Sequence, residues 1–388
     1  MSETAPRMSR RRAAAALTGS NTLVYGLTGV FSAFMPVYLS AHHTSIVKGY
    51  LLSIGCVVAL FAPVVIGKLA DKAASKSRVL AGAVALSAVF FAATYLSANV
   101  WFLAATIACF SFFKASFGGM VDTVTLEYTS EHDINYGPIR MMGTVGYGAL
   151  AFLLGIVANR RLGYVFASYP ILAAAAIFFL LWGPQVPGHA EKREKLQVAP
   201  ILKSRNIRIL FLLNGVVYFC HTYYQHFYNE YAIGILHMPT WVWGLNALAT
   251  VAVEIPFFFL FERIMRAVRM KSLLLTCMIV SVLRFLLLPM LSTSGGILLT
   301  AVLTGSWVTF VTYSATLYMQ RNLPPNLIAS GIGLLYALSC GMGNFLADFG
   351  GGYLTAWLGI RGGLFFCAGV CLLALPSVFF LRVPSPER

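Results

Sequence analysis

Stretches of mostly apolar residues, each long enough for the about 20-residue helix that crosses a bilayer, follow one another from Ala13 almost to the C-terminus. Hydrophobic residues make up 59% of the 388 and charged residues 11%, more apolar surface than one soluble core can hide. In hydrocarbon, backbone N–H and C=O groups find no water and must pair internally. The runs are too long for the roughly 10-residue alternating strands of a barrel, so they read as helices. The breaks between them predict about twelve spans, at 14–40, 46–70, 78–97, 99–127, 136–157, 162–184, 207–236, 240–262, 270–292, 295–320, 325–355 and 359–382. The run from Arg10 into Ala13 starts like a signal peptide, but its apolar part continues past signal length and reads as the first span.

A net charge of +15 raises the question of nucleic acid, and the placement of the cations answers it. They fall after alternate spans: Arg7, Arg10, Arg11 and Arg12; then Lys68, Lys72, Lys76 and Arg78; then Lys192, Arg193, Lys195, Lys203, Arg205 and Arg208; then Arg263, Arg266, Arg269 and Lys271. The breaks facing the other way hold only Lys48, Arg160, Arg161 and Arg361. This bias sets an orientation with both termini cytoplasmic, in a multi-pass protein of the plasma (bacterial inner) membrane. The expected partners are the bilayer and a small-molecule substrate, with no nucleic acid and a monomer as the working unit. The seven cysteines all lie within apolar spans, so neither a disulfide nor a zinc framework is implied.

The longest polar interruption runs from Pro184 to Arg208 and holds Pro187, Gly188 and Pro200. It divides the chain into an N-terminal six-helix bundle, 1–184, a cytoplasmic linker, 185–206, and a C-terminal six-helix bundle, 207–388. The break after the second span reads Gly67-Lys68-Leu69-Ala70-Asp71-Lys72, and that after the eighth reads Phe258-Phe259-Leu260-Phe261-Glu262-Arg263. An acid followed by a base at corresponding places in the two halves is an internal repeat. Orientation alone would explain the cations but not the repeated acid. Gly67-x-x-x-Asp71-Lys72 resembles the loop signature of the major facilitator superfamily, whose six-plus-six layout covers the whole chain. The second copy departs from it, with Phe258 for the glycine and Glu262 for the aspartate. The resemblance implies an all-α membrane fold of two pseudo-symmetric bundles, with these loop residues in gating or structural roles.

An ionisable side chain at mid-membrane costs a few kcal/mol on insertion scales, so each one marks a candidate functional site. Asp122 lies in the fourth span, with Gly118 and Lys114 on the same face at helical spacing. Arg140 opens the fifth span in Tyr136-Gly137-Pro138-Ile139-Arg140-Met141-Met142-Gly143. The segment from Asp122 to Gly143 resembles the lactose permease branch of the superfamily and its phenylpropionate permease relatives. That resemblance makes Asp122 and Arg140 a substrate-contacting pair and Asp122 a candidate proton acceptor; a structural ion pair between the two helices is the alternative.

The seventh span is the most polar, with His221, Gln225, His226, Asn229 and Glu230. His226 and Glu230 stand at i, i+4 and can pair on one face, and histidine suits a proton relay. Gln225-His226-Phe227-Tyr228-Asn229 resembles a stretch of lactose permease, although His221 and Tyr224 replace its two aspartates. Arg284 matches an arginine in that permease's ninth helix, and Glu230 or Asp348 is its expected partner. Glu254-Ile255-Pro256 resembles a Glu-x-Pro of the phenylpropionate permease relatives, where the proline breaks a helical hydrogen bond and gives the acid a structural role. The tenth span lacks the histidine and carboxylate that couple protons in lactose permease, so here Asp122, Glu230 or Asp348 must carry any coupling. Among the aromatics, Tyr25, Tyr38, Trp307, Tyr313 and Tyr336 are candidates for interfacial belts or for stacking on a ring-bearing substrate.

These features predict a secondary transporter for a small polar or anionic organic solute, proton-coupled and working by alternating access. A proton gradient is the expected driving force, with no cofactor. An uncoupled facilitator or a drug or metabolite exporter of the same fold is the near alternative. A membrane receptor or membrane-embedded enzyme is the distant one. The chain has no His-Glu-x-x-His, Gly-x-Ser-x-Gly or Walker loop, which argues against an enzyme and against direct ATP drive.

Overall fold

The computed structural model describes residues 9–188 and 198–382. They are helical almost throughout. In chain order the helices are α1 (Arg10–His42), α2 (Ser45–Lys72), α3 (Lys76–Thr94), α4 (Val100–Lys114), α5 (Phe117–Glu131), α6 (Tyr136–Ala158) and α7 (Gly163–Trp182). After the short α8 (Val198–Lys203) come α9 (Arg205–Asn229), α10 (Thr240–Ala267), α11 (Met270–Leu287), α12 (Ser294–Asn322), α13 (Pro325–Leu334) and α14 (Met342–Ala374). The expected fourth span is two pieces, α4 and α5, meeting at Ala115–Ser116. Asn99 and Asn135 begin α4 and α6 by accepting hydrogen bonds from first-turn N–H groups that would otherwise be orphaned. Two helices continue into π-helical turns, Glu230–Ile235 and Leu335–Gly341, a rare geometry frequent at functional sites. Within α14, Gly359 has φ +68°, a left-handed conformation that divides it into the expected eleventh and twelfth spans.

Many of the most exposed side chains are large and apolar, Trp101, Trp357, Leu96 and Leu373 among them. An exterior of this kind is solvated by lipid, and the protein is an integral membrane protein. The interior combines buried Leu, Phe and Tyr side chains with small residues at the closest helix contacts.

The helices gather into two compact units, one of Met1–Met35 with Val57–Lys192 and one of Pro36–Cys56 with Arg193–Arg388. In the first, α3 packs on α4, α5 and α7 around stacked rings of Phe91, Phe166 and Tyr169. Asn21 of α1 donates to Thr125 of α5 at 2.8 Å in its buried core. Helices α1 and α6 approach so closely that a Cβ on Gly146 would collide with the Thr22 backbone, which accounts for the glycine. Lys76 at the start of α3 pairs with Glu127 of α5 at 2.5 Å. In the second unit α9 lies along α14 and against α12, while α11 packs on both α12 and α14. The corner joining α1 to α2 packs with this second unit.

Candidate functional site

The first unit brings Asp122 and Arg140 together. Arg140 Nε lies 3.0 Å from Oδ1 of Asp122 and donates to Oδ2 at 3.2 Å. Tyr25 of α1 donates its hydroxyl to the same Oδ2 at 2.8 Å, and the guanidinium stacks 4.2 Å from the centre of its ring. Arg140 Nη1 also donates to Thr144 at 3.3 Å, one turn along α6. Each member of the pair keeps 32% of its side chain exposed, so a polar solute can reach both charges. Lys114 ends α4, on the far side of the α4–α5 break from Asp122, and its ammonium lies 4.3 Å from the ring centre of Phe31. Cation–π attraction there offsets part of its desolvation.

The second unit overturns one sequence expectation. His226 and Glu230 do not pair with each other, although helical spacing allows it. His226 Nδ1 lies 2.5 Å from Oδ1 of Asp348 on α14, and the Cys56 thiol donates to Oδ2 at 3.3 Å. Glu230 instead receives Lys48 Nζ at 2.8 Å and the Ser45 hydroxyl at 3.2 and 3.3 Å. Lys48 is fully buried, also donates to Ser40 at 2.8 Å, and lies 4.5 Å from the Phe227 ring centre. The physical reason is proximity from other elements. The α1–α2 corner supplies a cation and α14 a carboxylate, and each makes a closer contact than a neighbour one turn along α9 can.

Arg284 on α11 is the second correction, because neither Glu230 nor Asp348 reaches it. Its guanidinium is buried over the ring of Tyr224 at 4.2 Å, and its three nitrogens have no hydrogen-bond partner among the described residues. Both acids are already committed, to Lys48 and His226. His221 exchanges a hydrogen bond with Gln225 at 3.0 Å and stands edge-on to Trp307. His221, Gln225, His226 and Glu230 form the half-buried face of α9, whereas Tyr223, Tyr224, Phe227 and Tyr228 form its buried face.

The loop motif residues sit apart from these groups. Gly67 and Asp71 lie in the last turns of α2, and Lys72 ends it. Arg263 is exposed on α10, and the side chains of Phe258 and Glu262 lie outside the described residues. Glu254, two residues before Pro256, accepts from Thr309 at 3.1 Å. Sequence reasoning missed Lys48, which it placed among the outward-facing loop cations. The available signal was that Lys48 falls inside the second apolar span, where a cation needs a partner. Cys56 was read only as a residue of that span. Among the described residues no group of three or more His, Cys, Asp or Glu side chains is arranged to hold a metal ion.

Residues 16–367 match the model of the MFS_1 like family. The uncharacterized transporter YwbF of Bacillus subtilis (strain 168) is 25% identical over 364 residues, covering 90% of this chain and 88% of that protein. The maltose permease of Geobacillus stearothermophilus is 25% identical over 343 residues, covering 86% and 85%. The fold matches the crystal structure of nucleoside transporter NupG with a TM-score of 0.84 at 16% identity, over 95% of this chain and 98% of that one. It also matches a bacterial homologue of the human lysosomal transporter Spinster, with a TM-score of 0.75 at 13% identity over 96% and 97%. At these identities the structural likeness concerns the fold.

Proposed function

The chain belongs to the MFS_1 like family, and on that premise we propose that it carries a small polar or anionic organic solute by alternating access, coupled to proton movement. The maltose permease and nucleoside transporter among the similar proteins support a small polar cargo. In this reading 1–184 and 207–388 are the two bundles that rock, and 185–206 connects them. The protein works as a monomer in the bacterial inner membrane with both termini cytoplasmic, in keeping with its cation bias.

The observation that carries the coupling is the His226–Asp348 contact. Asp348 is 1% exposed, while His226 reaches from it to the half-buried face of α9. A buried acid in contact with an imidazole and a thiol can pass a proton through the imidazole. Asp122 and Arg140 form the solute contact: their charges compensate each other when no solute is bound, and a polar group inserts between them. Binding energy that differs between two conformations is what shifts one toward the other.

The test uses proteoliposomes with a pH dye inside, offered maltose, uridine or benzoate. Solute entry should carry protons inward. D348N should abolish proton movement while retaining exchange of solute across the membrane, and D122N should abolish both. Solute uptake with no proton flux in the unmodified protein would refute the coupling. It would favour an uncoupled facilitator, the reading supported by the lack of any His, Asp or Glu in the sequence of α12.

A further inference from the structure

The second unit contains a positive charge that no carboxylate among the described residues balances. Arg284 is 0% exposed, and no carboxylate among the described residues forms an ion pair with it. Glu230 is held by Lys48, Asp348 by His226, and Glu254 accepts from Thr309. A buried ion without a counter-charge carries its full desolvation cost, so this arrangement calls for an anion from outside the chain.

Two further buried polar groups in the same aromatic cluster have no hydrogen-bond partner among the described residues, the indole Nε1 of Trp307 and the hydroxyl of Tyr228. Phe285 links the first to Arg284: its ring centre is 5.2 Å from the guanidinium carbon and 6.2 Å from the Trp307 ring. Tyr224 links the second, stacked 5.2 Å from Tyr228 and 4.2 Å from the guanidinium. Guanidinium and indole donate hydrogen bonds and accept none, and the phenol can donate. A set in which donors predominate favours a ligand that accepts. One unbalanced positive charge selects a single negative one. The guanidinium fork fits a carboxylate in two parallel hydrogen bonds, and the rings offer apolar walls to the rest of the molecule.

We infer that Arg284, Trp307 and Tyr228 form a binding subsite for a small organic monocarboxylate, with Tyr224 and Phe285 packing against its apolar portion. The inference rests on the transporter reading only for the ligand's passage to this buried cluster. Phosphate esters fit less well, because a dianion would leave a buried charge unmatched.

The test is thermal unfolding of the detergent-purified full chain with benzoate or cyclohexanecarboxylate, each against its amide and against sodium chloride. At least one acid should raise the unfolding temperature, and its amide and chloride should not. R284Q should weaken that acid's apparent affinity at least about 30-fold, the loss expected when one partner of a buried charge pair is removed. R284K, which keeps the charge but loses the fork, and W307F should weaken it by smaller factors, and they keep the test valid if R284Q fails to fold. No shift with either acid, an equal shift with amide or chloride, or an undiminished shift in R284Q or R284K overturns the inference. The measurement uses no gradient. Binding without proton flux therefore sinks the coupling and spares this site, and proton flux without acid binding does the reverse.

Discussion

Removing Glu230 should destabilise the protein far more than removing Glu230 and Lys48 together. Lys48 is 0% exposed, and its ammonium meets Glu230 and Ser40 at 2.8 Å each and lies 4.5 Å from the Phe227 ring centre. E230A strands the cation with a hydroxyl and a ring face. Breaking a buried pair in this way costs about 3–5 kcal/mol, of which the ring returns about 1–2 kcal/mol, leaving a loss of about 2–3 kcal/mol. K48M should cost only about 1 kcal/mol, because Glu230 is half-buried and keeps the Ser45 hydroxyl. The double variant replaces a charged pair by apolar groups and should lie within about 1 kcal/mol of the unmodified protein. With the double variant near the unmodified protein, the cycle therefore yields a coupling of about 3–4 kcal/mol. SDS-driven unfolding in mixed micelles, followed by tryptophan fluorescence, measures each corner. If the single losses add in the double variant to within about 0.5 kcal/mol, the pair is not a stabilising unit and the reasoning fails.

G146A should lose about 1–3 kcal/mol in the same unfolding measurement, because the added methyl meets the Thr22 backbone, which cannot rotate away. An unchanged stability would mean that α1 and α6 separate at no cost. Y25F removes the hydroxyl that donates to Asp122 and should reduce solute affinity about 5-fold, equivalent to about 1 kcal/mol, with folding intact. Full affinity in Y25F would reduce Tyr25 to a packing residue.

The membrane architecture was legible because its signal is local. Twenty apolar residues in succession declare a span wherever they end up, and the fold needed only their succession. Asp122 and Arg140 were legible as a geometric pair for a related reason: they lie on helices joined by a short turn, so their separation along the chain nearly fixes their separation in space. The second unit defeats that logic. Helical spacing pointed from His226 to Glu230, yet their partners come from 122 and 182 residues away, on α14 and on the α1–α2 corner. Nothing in the local pattern encodes which distant helix will arrive. Lys48 shows the same limit, since a cation near the start of a span looks like a loop residue until the packing buries it. The break at Ala115–Ser116 also escaped notice, because an interruption of two residues leaves the apolar pattern of the fourth span intact.

The left-handed residue in α14 bears on how the chain is made. At Gly359 the helix breaks without a polar connecting loop: Trp357 and Leu358 on one side are exposed and apolar, and Arg361 on the other donates to Tyr231. Two spans joined so tightly offer the insertion machinery no hydrophilic stretch at which to pause between them. They must partition into lipid as one hairpin, entering and leaving from the same face. A fusion tag or protease site inserted there would have to be carried across with them, so the last two spans are inherited as a single cassette.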